Sequence, residues 1–179
     1  GVISYIKEKA KNCKSRVYIA GSITMGLEGK EPTDLKALRK AGAIGLSDDG
    51  RPVLDPEIMA EAMKKAPELG MTVVAHCEDL ELADGGKINK GKMSKKLGIK
   101  GIPAEAEDKG TKREINLAKE NNVPVHICHV STKTSVQMIR EAKEDGVKVT
   151  AETAPHYFTL TEDVLEKRDA DYRMNPPLR

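Results

Sequence analysis

An α/β fold built on a parallel sheet is what this sequence predicts, and three observations predict it. Short runs rich in Val, Ile and Ala alternate with helical patterns of about 10–15 residues. The helical patterns open on capping residues or proline and several close on glycine. Polar residues gather where the apolar runs stop, and in parallel folds those carboxyl ends are where ligands sit. With 39% hydrophobic and 32% charged side chains, the 179 residues have the composition of one soluble globular domain.

Residues 16–24 (RVYIAGSIT) read as the first strand. Pro32, Thr33 and Asp34 open a helix that stops at Gly42, and residues 43–47 (AIGLS) form the second strand. Asp55 places a capping carboxylate before Pro56 at the first helical position, and that helix ends at Gly70. Pro67 falls in its last turn and is expected to kink or shorten it. Residues 71–77 (MTVVAHC) are the third strand, and a longer segment leads to a helix over 105–122. The fourth strand is 123–130. Ser131 is expected to cap the next helix, whose apolar face carries Ile139 and Ala142 and whose end is marked by Gly146. Residues 147–153 are the fifth strand, and 161–167 a short helix.

No GxGxxG joins a strand to a helix, so a dinucleotide-binding arrangement is not supported. A (β/α)₈ barrel fits the alternation better, but five strands cannot close one. The chain therefore reads as a partial barrel, an interior segment of a single catalytic domain of about 250 residues or more.

Composition narrows the function. The formal charge is +2, without the basic excess of a nucleic-acid surface, and 3% aromatics with no Trp cannot supply a base-stacking platform. No apolar run approaches a membrane span, and no leader-like start is present. Cys13, Cys77 and Cys128 are an odd set, which points to a reducing cytoplasm rather than a disulfide scaffold.

Asp49, His76 and His129 each follow a different strand, so the fold would bring them together. Two imidazoles and a carboxylate suit a zinc ion, and a carboxylate can bridge two. Singly, each histidine reads equally well as a hydrogen-bonded core residue, and Asp48-Asp49 as a turn before Gly50. Together at successive strand ends, the metal reading is the better one. His126 precedes His129 by three residues, so strand alternation sets the two on opposite faces; His129, at the extreme strand end, is taken as the ligand and His126 as structural. His156 follows Pro155, where lining a pocket and packing fit equally. Cys77 and Cys128 read as small buried hydrophobes turned away from the metal. The lysines at 87, 90, 92, 95, 96 and 100 read as a solvated loop, with anion steering as the functional alternative. Asn175, before two prolines that hold the backbone extended, reads from the residues alone as a turn.

Six stretches taken in order carry a resemblance: SDDG (47–50), AHCEDLEL (75–82), LGIKGIPAEAE (97–107), HICHVSTKTS (126–135), VTAETAPHYFTLTED (149–163) and MNPPLR (174–179). Together they resemble the middle of bacterial type I dihydroorotases, cyclic amidohydrolases of the metal-dependent amidohydrolase superfamily. The resemblance implies a (β/α)₈ TIM barrel of which these strands are the third to seventh. It implies two zinc ions, with Asp49 as the bridging carboxylate (Asp48 being the alternative) and His76 and His129 on the more exposed ion. It also implies that Asn175 contacts the pyrimidine ring. Relatives such as hydantoinases and allantoinases carry a carboxylated lysine on the fourth strand; GLSDDG has none, which favours dihydroorotase.

The implied reaction interconverts L-dihydroorotate and N-carbamoyl-L-aspartate in pyrimidine synthesis. The first-strand His-x-His-x-x-Arg and eighth-strand Asp-His motifs are absent, so no general acid/base is found in this segment. The isolated chain is expected to be inactive, to bind zinc weakly or not at all, and to self-associate or aggregate through exposed sheet edges. The implied partners are a small-molecule substrate, further copies of the chain, and aspartate transcarbamoylase. A hydantoinase- or allantoinase-type enzyme and a non-catalytic scaffold chain are the alternatives.

Overall fold

The computed structural model describes residues 1–179. Five short strands, β1 (Ala20–Gly21), β2 (Gly45–Leu46), β3 (Thr72–Ala75), β6 (Val125–Ile127) and β7 (Val149–Ala151), form one parallel sheet in the order β1-β2-β3-β6-β7. The order follows the chain without reversal. A doubly wound sheet reverses at a switch point, whereas a barrel wall adds each strand beside the last. The expected partial barrel of five parallel strands is therefore present. A second parallel pair, β4 (Ile88–Asn89) with β5 (Gly101–Ile102), stands apart as a small insert between β3 and β6.

Helices α2 (Leu35–Ala41), α3 (Pro56–Glu68), α6 (Ala104–Asn121) and α7 (Lys133–Glu144) connect the wall strands. Their starts follow local chemistry. Asp34 accepts from the Ala37 amide at 3.0 Å, and Asp55 accepts from the Glu57 amide at 2.8 Å ahead of Pro56. Pro67 does not shorten α3 before it, and the helix ends one residue later, at Glu68. Met59, Met63 and Ala66 of α3, Ile115 and Ala118 of α6, and Ile139 of α7 bury one sheet face, carrying Val73, Ala75, Val125 and Ile127. Thr72, Val74, His126 and Thr150 alternate to the opposite, more open face. Gly110 allows α6 to lie against the end of β3: a Cβ there would stand 2.8 Å from the Cys77 carbonyl carbon and the Glu78 nitrogen.

Several expectations are corrected. The strands are shorter than the apolar runs, because only a few residues of each find ladder partners; β1, an edge strand, pairs only with β2. A helix α1 (Val2–Ala10) precedes the first strand, with no buried residue to give it an apolar signal. Thr132, not Ser131, caps α7, accepting from the Ser135 amide at 3.1 Å; the Ser131 hydroxyl donates instead to Glu107. The lysine-rich stretch is not a plain loop, since it contains α5 (Lys92–Leu97) between β4 and β5, following α4 (Leu80–Ala83). Past β7 lie α8 (Pro155–Thr159) and 3₁₀ turns at Glu162–Lys167 and Ala170–Tyr172. The Asn175–Pro176 peptide is cis rather than part of a uniformly extended run. No helix is long and apolar enough to cross a membrane.

Candidate metal centre

His76 leaves β3 on the alternation that turns Val74 toward the open face, and its ring is almost fully buried. His129 gets there differently. Its φ of +37° breaks the alternation of β6, and the left-handed turn brings its ring back toward His76. Such backbone is uncommon for a residue with a Cβ, and it clusters at functional sites. The rings meet edge to face with centroids 4.8 Å apart, and His76 Nδ1 lies 2.9 Å from His129 Nε2. Asp49 Oδ1 completes the group, 3.1 Å from His76 Nδ1 and 3.3 Å from His129 Nε2.

The neighbouring Asp48 has a different task. It is buried, and its carboxylate accepts from the Ile23 amide at 2.6 Å and from the Thr24 amide and hydroxyl, tying β1 to the end of β2. With its oxygens so engaged, Asp48 is not the aspartate beside the imidazoles. Asp49 is, with about two-thirds of its side chain exposed.

These donors fit a metal ion. Bonds of about 2.0–2.1 Å in a tetrahedral site place neighbouring ligand atoms about 3.3 Å apart, and the three separations here run from 2.9 to 3.3 Å. Two imidazole nitrogens and one carboxylate oxygen are a borderline donor set of the kind zinc takes. Glu78 Oε2 lies 3.4 Å from His76 Nε2. A proton donated there leaves the His76 lone pair on Nδ1, facing the group, as the outer carboxylate of a metal-bound histidine does.

The other singled-out residues lie outside this triangle. His126 sits on the open face with Nδ1 2.8 Å from Thr150 Oγ1, a structural contact. Cys128 shares that face and is half-buried, not turned into the helix-side core as alternation from His129 implied; the break at His129 invalidates that count. With His126 and Glu152 it forms a second close group of potential ligands. Burial, then the Glu152 and Asp49 charges, push its thiol up to about 12. Cys77 is buried as expected, its thiol pushed up by burial and by Glu114. His156 packs edge-on against Tyr157, ring centroids 4.2 Å apart. Asn175 is exposed and not among the gathered donors. Its segment is fastened by Tyr157, whose hydroxyl donates to the Pro176 carbonyl at 2.9 Å, and by buried Leu178.

Sequence reading missed Glu107. This buried carboxylate accepts from the Ser131 amide at 2.8 Å and the Thr132 amide at 3.0 Å, and Arg179 Nη2 lies 3.5 Å from it. It thus fixes the turn that follows His129. The available signal was spacing: Glu107, Thr111 and Glu114 recur at helical intervals on the buried face of α6.

Parallel strands in sequential order, with imidazoles and a carboxylate converging at their carboxyl ends, define part of a barrel wall that carries a candidate metal centre. The chain belongs to the family described as Dihydro-orotase-like, whose match covers residues 3–135. It is 48% identical over 179 residues to proteins named Dihydroorotase from Trichlorobacter lovleyi and Geobacter metallireducens, covering 99% of this chain and 42% of each of theirs. The chain thus spans less than half the length of these curated relatives. Among solved structures, a D-hydantoinase from Bacillus sp. AR9 superposes with a TM-score of 0.73 at 26% identity, over 100% of this chain and 42% of that one. The L-hydantoinase (dihydropyrimidinase) of Arthrobacter aurescens gives 0.75 at 22% identity, over 99% and 42% respectively, a likeness of fold.

Proposed function

We propose that this chain is the central part of a zinc-dependent dihydroorotase, which interconverts L-dihydroorotate and N-carbamoyl-L-aspartate in cytoplasmic pyrimidine synthesis. The observation that carries the reading is the convergence of Asp49, His76 and His129 from three strand ends. His76, His129 and Asp49 would hold a divalent ion, and Glu78 beside His76 Nε2 would keep His76 in the ligating tautomer. A divalent ion bound by these residues would supply Lewis acidity toward a cyclic amide carbonyl and would lower the pKa of a nearby water. Asn175 orients the ring through paired amide hydrogen bonds.

The chain's own residues offer three donors to one ion and no proton carrier for the leaving nitrogen. Turnover therefore draws on the His-x-His and Asp-His motifs of the family, which these residues do not contain. The uncovered sheet edges at β1 and β7 favour self-association, and an aspartate transcarbamoylase is a further proposed partner. Sequence identity to proteins named Dihydroorotase, and the lack of lysine in residues 45–50, favour dihydroorotate over a hydantoin. Zinc binding to the 179-residue chain, followed by calorimetry, tests the centre: His129→Ala is expected to weaken it by more than about a hundredfold, a larger loss than outer-sphere changes produce. Unchanged zinc affinity in that variant would remove the basis of the reading.

A further inference from the structure

The six lysines between residues 87 and 100 are not equivalent. Lys92 pairs with Asp163 at 2.7 Å, Lys96 with Glu166, and Lys100 with Asp84 at 2.5 Å. Lys90 and Lys95 take no carboxylate partner, and both line one cavity of about 570 Å³ where the insert meets the starts of α6 and α7. Lys133, also without a carboxylate partner, completes its cationic wall, while Arg179 is already paired with Glu107, and Glu105 is the one carboxylate among the lining residues. In a chain whose formal charge is only +2, this is a concentrated positive field.

Arg179 is held in place behind that wall. Its Nη1 donates to Asn89 Oδ1 at 3.1 Å and to the Ile102 carbonyl at 3.3 Å, and its Nε to Ser131 Oγ at 3.2 Å. Lys133 occupies the first position of α7, an end already met by Glu107, which accepts from the Thr132 amide, and by Asp108, which accepts from the Thr132 and Ser135 hydroxyls. The first turn of α6, which has no side-chain cap, lines the same cavity.

We propose that this cavity binds an oligophosphate group, with Lys90, Lys95 and Lys133 as its charge partners and Arg179 as a fixed floor. Three unpaired ammonium groups suit a multivalent anion better than a lone carboxylate. No aromatic side chain lines the cavity, so recognition falls on the phosphates and not on a stacked base.

Inorganic tripolyphosphate titrated into the metal-stripped 179-residue chain tests the site by calorimetry. Saturable one-to-one binding is expected, weakened at least about tenfold in Lys90→Gln/Lys95→Gln/Lys133→Gln, since each loses charged hydrogen bonds. Lys96→Gln/Lys100→Gln, in the same stretch but outside the cavity, should bind as the parent chain does, and so should His129→Ala, which separates this site from the metal centre. A parallel titration with a nucleoside triphosphate distinguishes sources: tighter binding than tripolyphosphate assigns a nucleotide, equal binding the phosphate chain alone, and both sustain the site. Absence of saturable binding by about 1 mM, an unweakened triple variant, or equal weakening in the control pair would overturn it.

Discussion

The molecule contains two parallel sheets that are held in different ways. The five-stranded wall rests on a core of 21 buried residues, and its strands carry the imidazoles and the carboxylate of the candidate metal centre. The β4–β5 insert has two apolar clusters of three residues each, Ala83 with Ile102 and Ala106, and Ile88 with Met93 and Leu165, supplemented by exposed ion pairs. Burial fixes the wall closely enough to hold ligand atoms to within tenths of an ångström, which a metal site requires. The insert needs no such precision. It presents charge, and charge acts over several ångströms even on long side chains.

Glu107 joins the two regions, and removing it breaks that joint. Its carboxylate accepts from the residues after β6, while Arg179 beside it reaches Asn89 of β4 and Ile102 of β5. Glu107→Ala would leave the Ser131 and Thr132 amides and the Ser131 hydroxyl without their acceptor and remove the carboxylate beside Arg179, at a cost of about 2–4 kcal/mol. Urea denaturation of variant and parent measures it. A loss below about 1 kcal/mol would show that wall and insert do not depend on this joint.

A second carboxylate, Glu114, lies wholly within the wall, on α6 behind β3. Burial pushes its carboxyl above the ordinary value, against the pull of Arg113, and Oε2 has no hydrogen-bond partner. A carboxyl raised on folding adds stability below its unfolded value, and that contribution disappears as pH rises through the folded value. Glu114→Gln should therefore gain stability relative to the parent as pH is raised from about 4 to about 7. Paired thermal melts across that window give the slope, and a slope of opposite sign would mean that the folded state favours the ionised form.

What could be read beforehand follows the same division. The wall strands announced themselves because Val73, Ala75, Val125 and Ile127 alternate against a helical face. His76 could be placed because it simply follows β3. His129 reached the site for a reason that spacing does not encode, a left-handed turn, and the same turn undid the assignment of Cys128. Local sequence likewise left Asp48 and Asp49 interchangeable; the amides of Ile23 and Thr24, remote along the chain, separate them. The insert stayed illegible because no apolar run marks its short strands and its lysines look alike until their partners are in place. Glu107 was hidden by the expectation that an acid in the first turn of a helix faces solvent.

The smallest predicted effect concerns the insert's own fastening. Lys96 reaches from α5 to Glu166, and Lys92 to Asp163, so two ion pairs tie α5 to the 3₁₀ turn at Glu162–Lys167. All four side chains are more than half exposed, and water and salt screen such pairs to between about 0 and 1 kcal/mol. Beneath them, Met93 packs against Leu165, and the Lys92 amide donates to Glu162 Oε1 at 3.0 Å, contacts that a change at Lys96 leaves intact. Lys96→Gln should therefore shift the urea midpoint barely at all, and amide exchange in α5 should stay as slow as in the parent chain. Rapid exchange confined to α5 in that variant would show instead that surface charge holds the insert, and that apolar contact is the lesser support there as well as the weaker count.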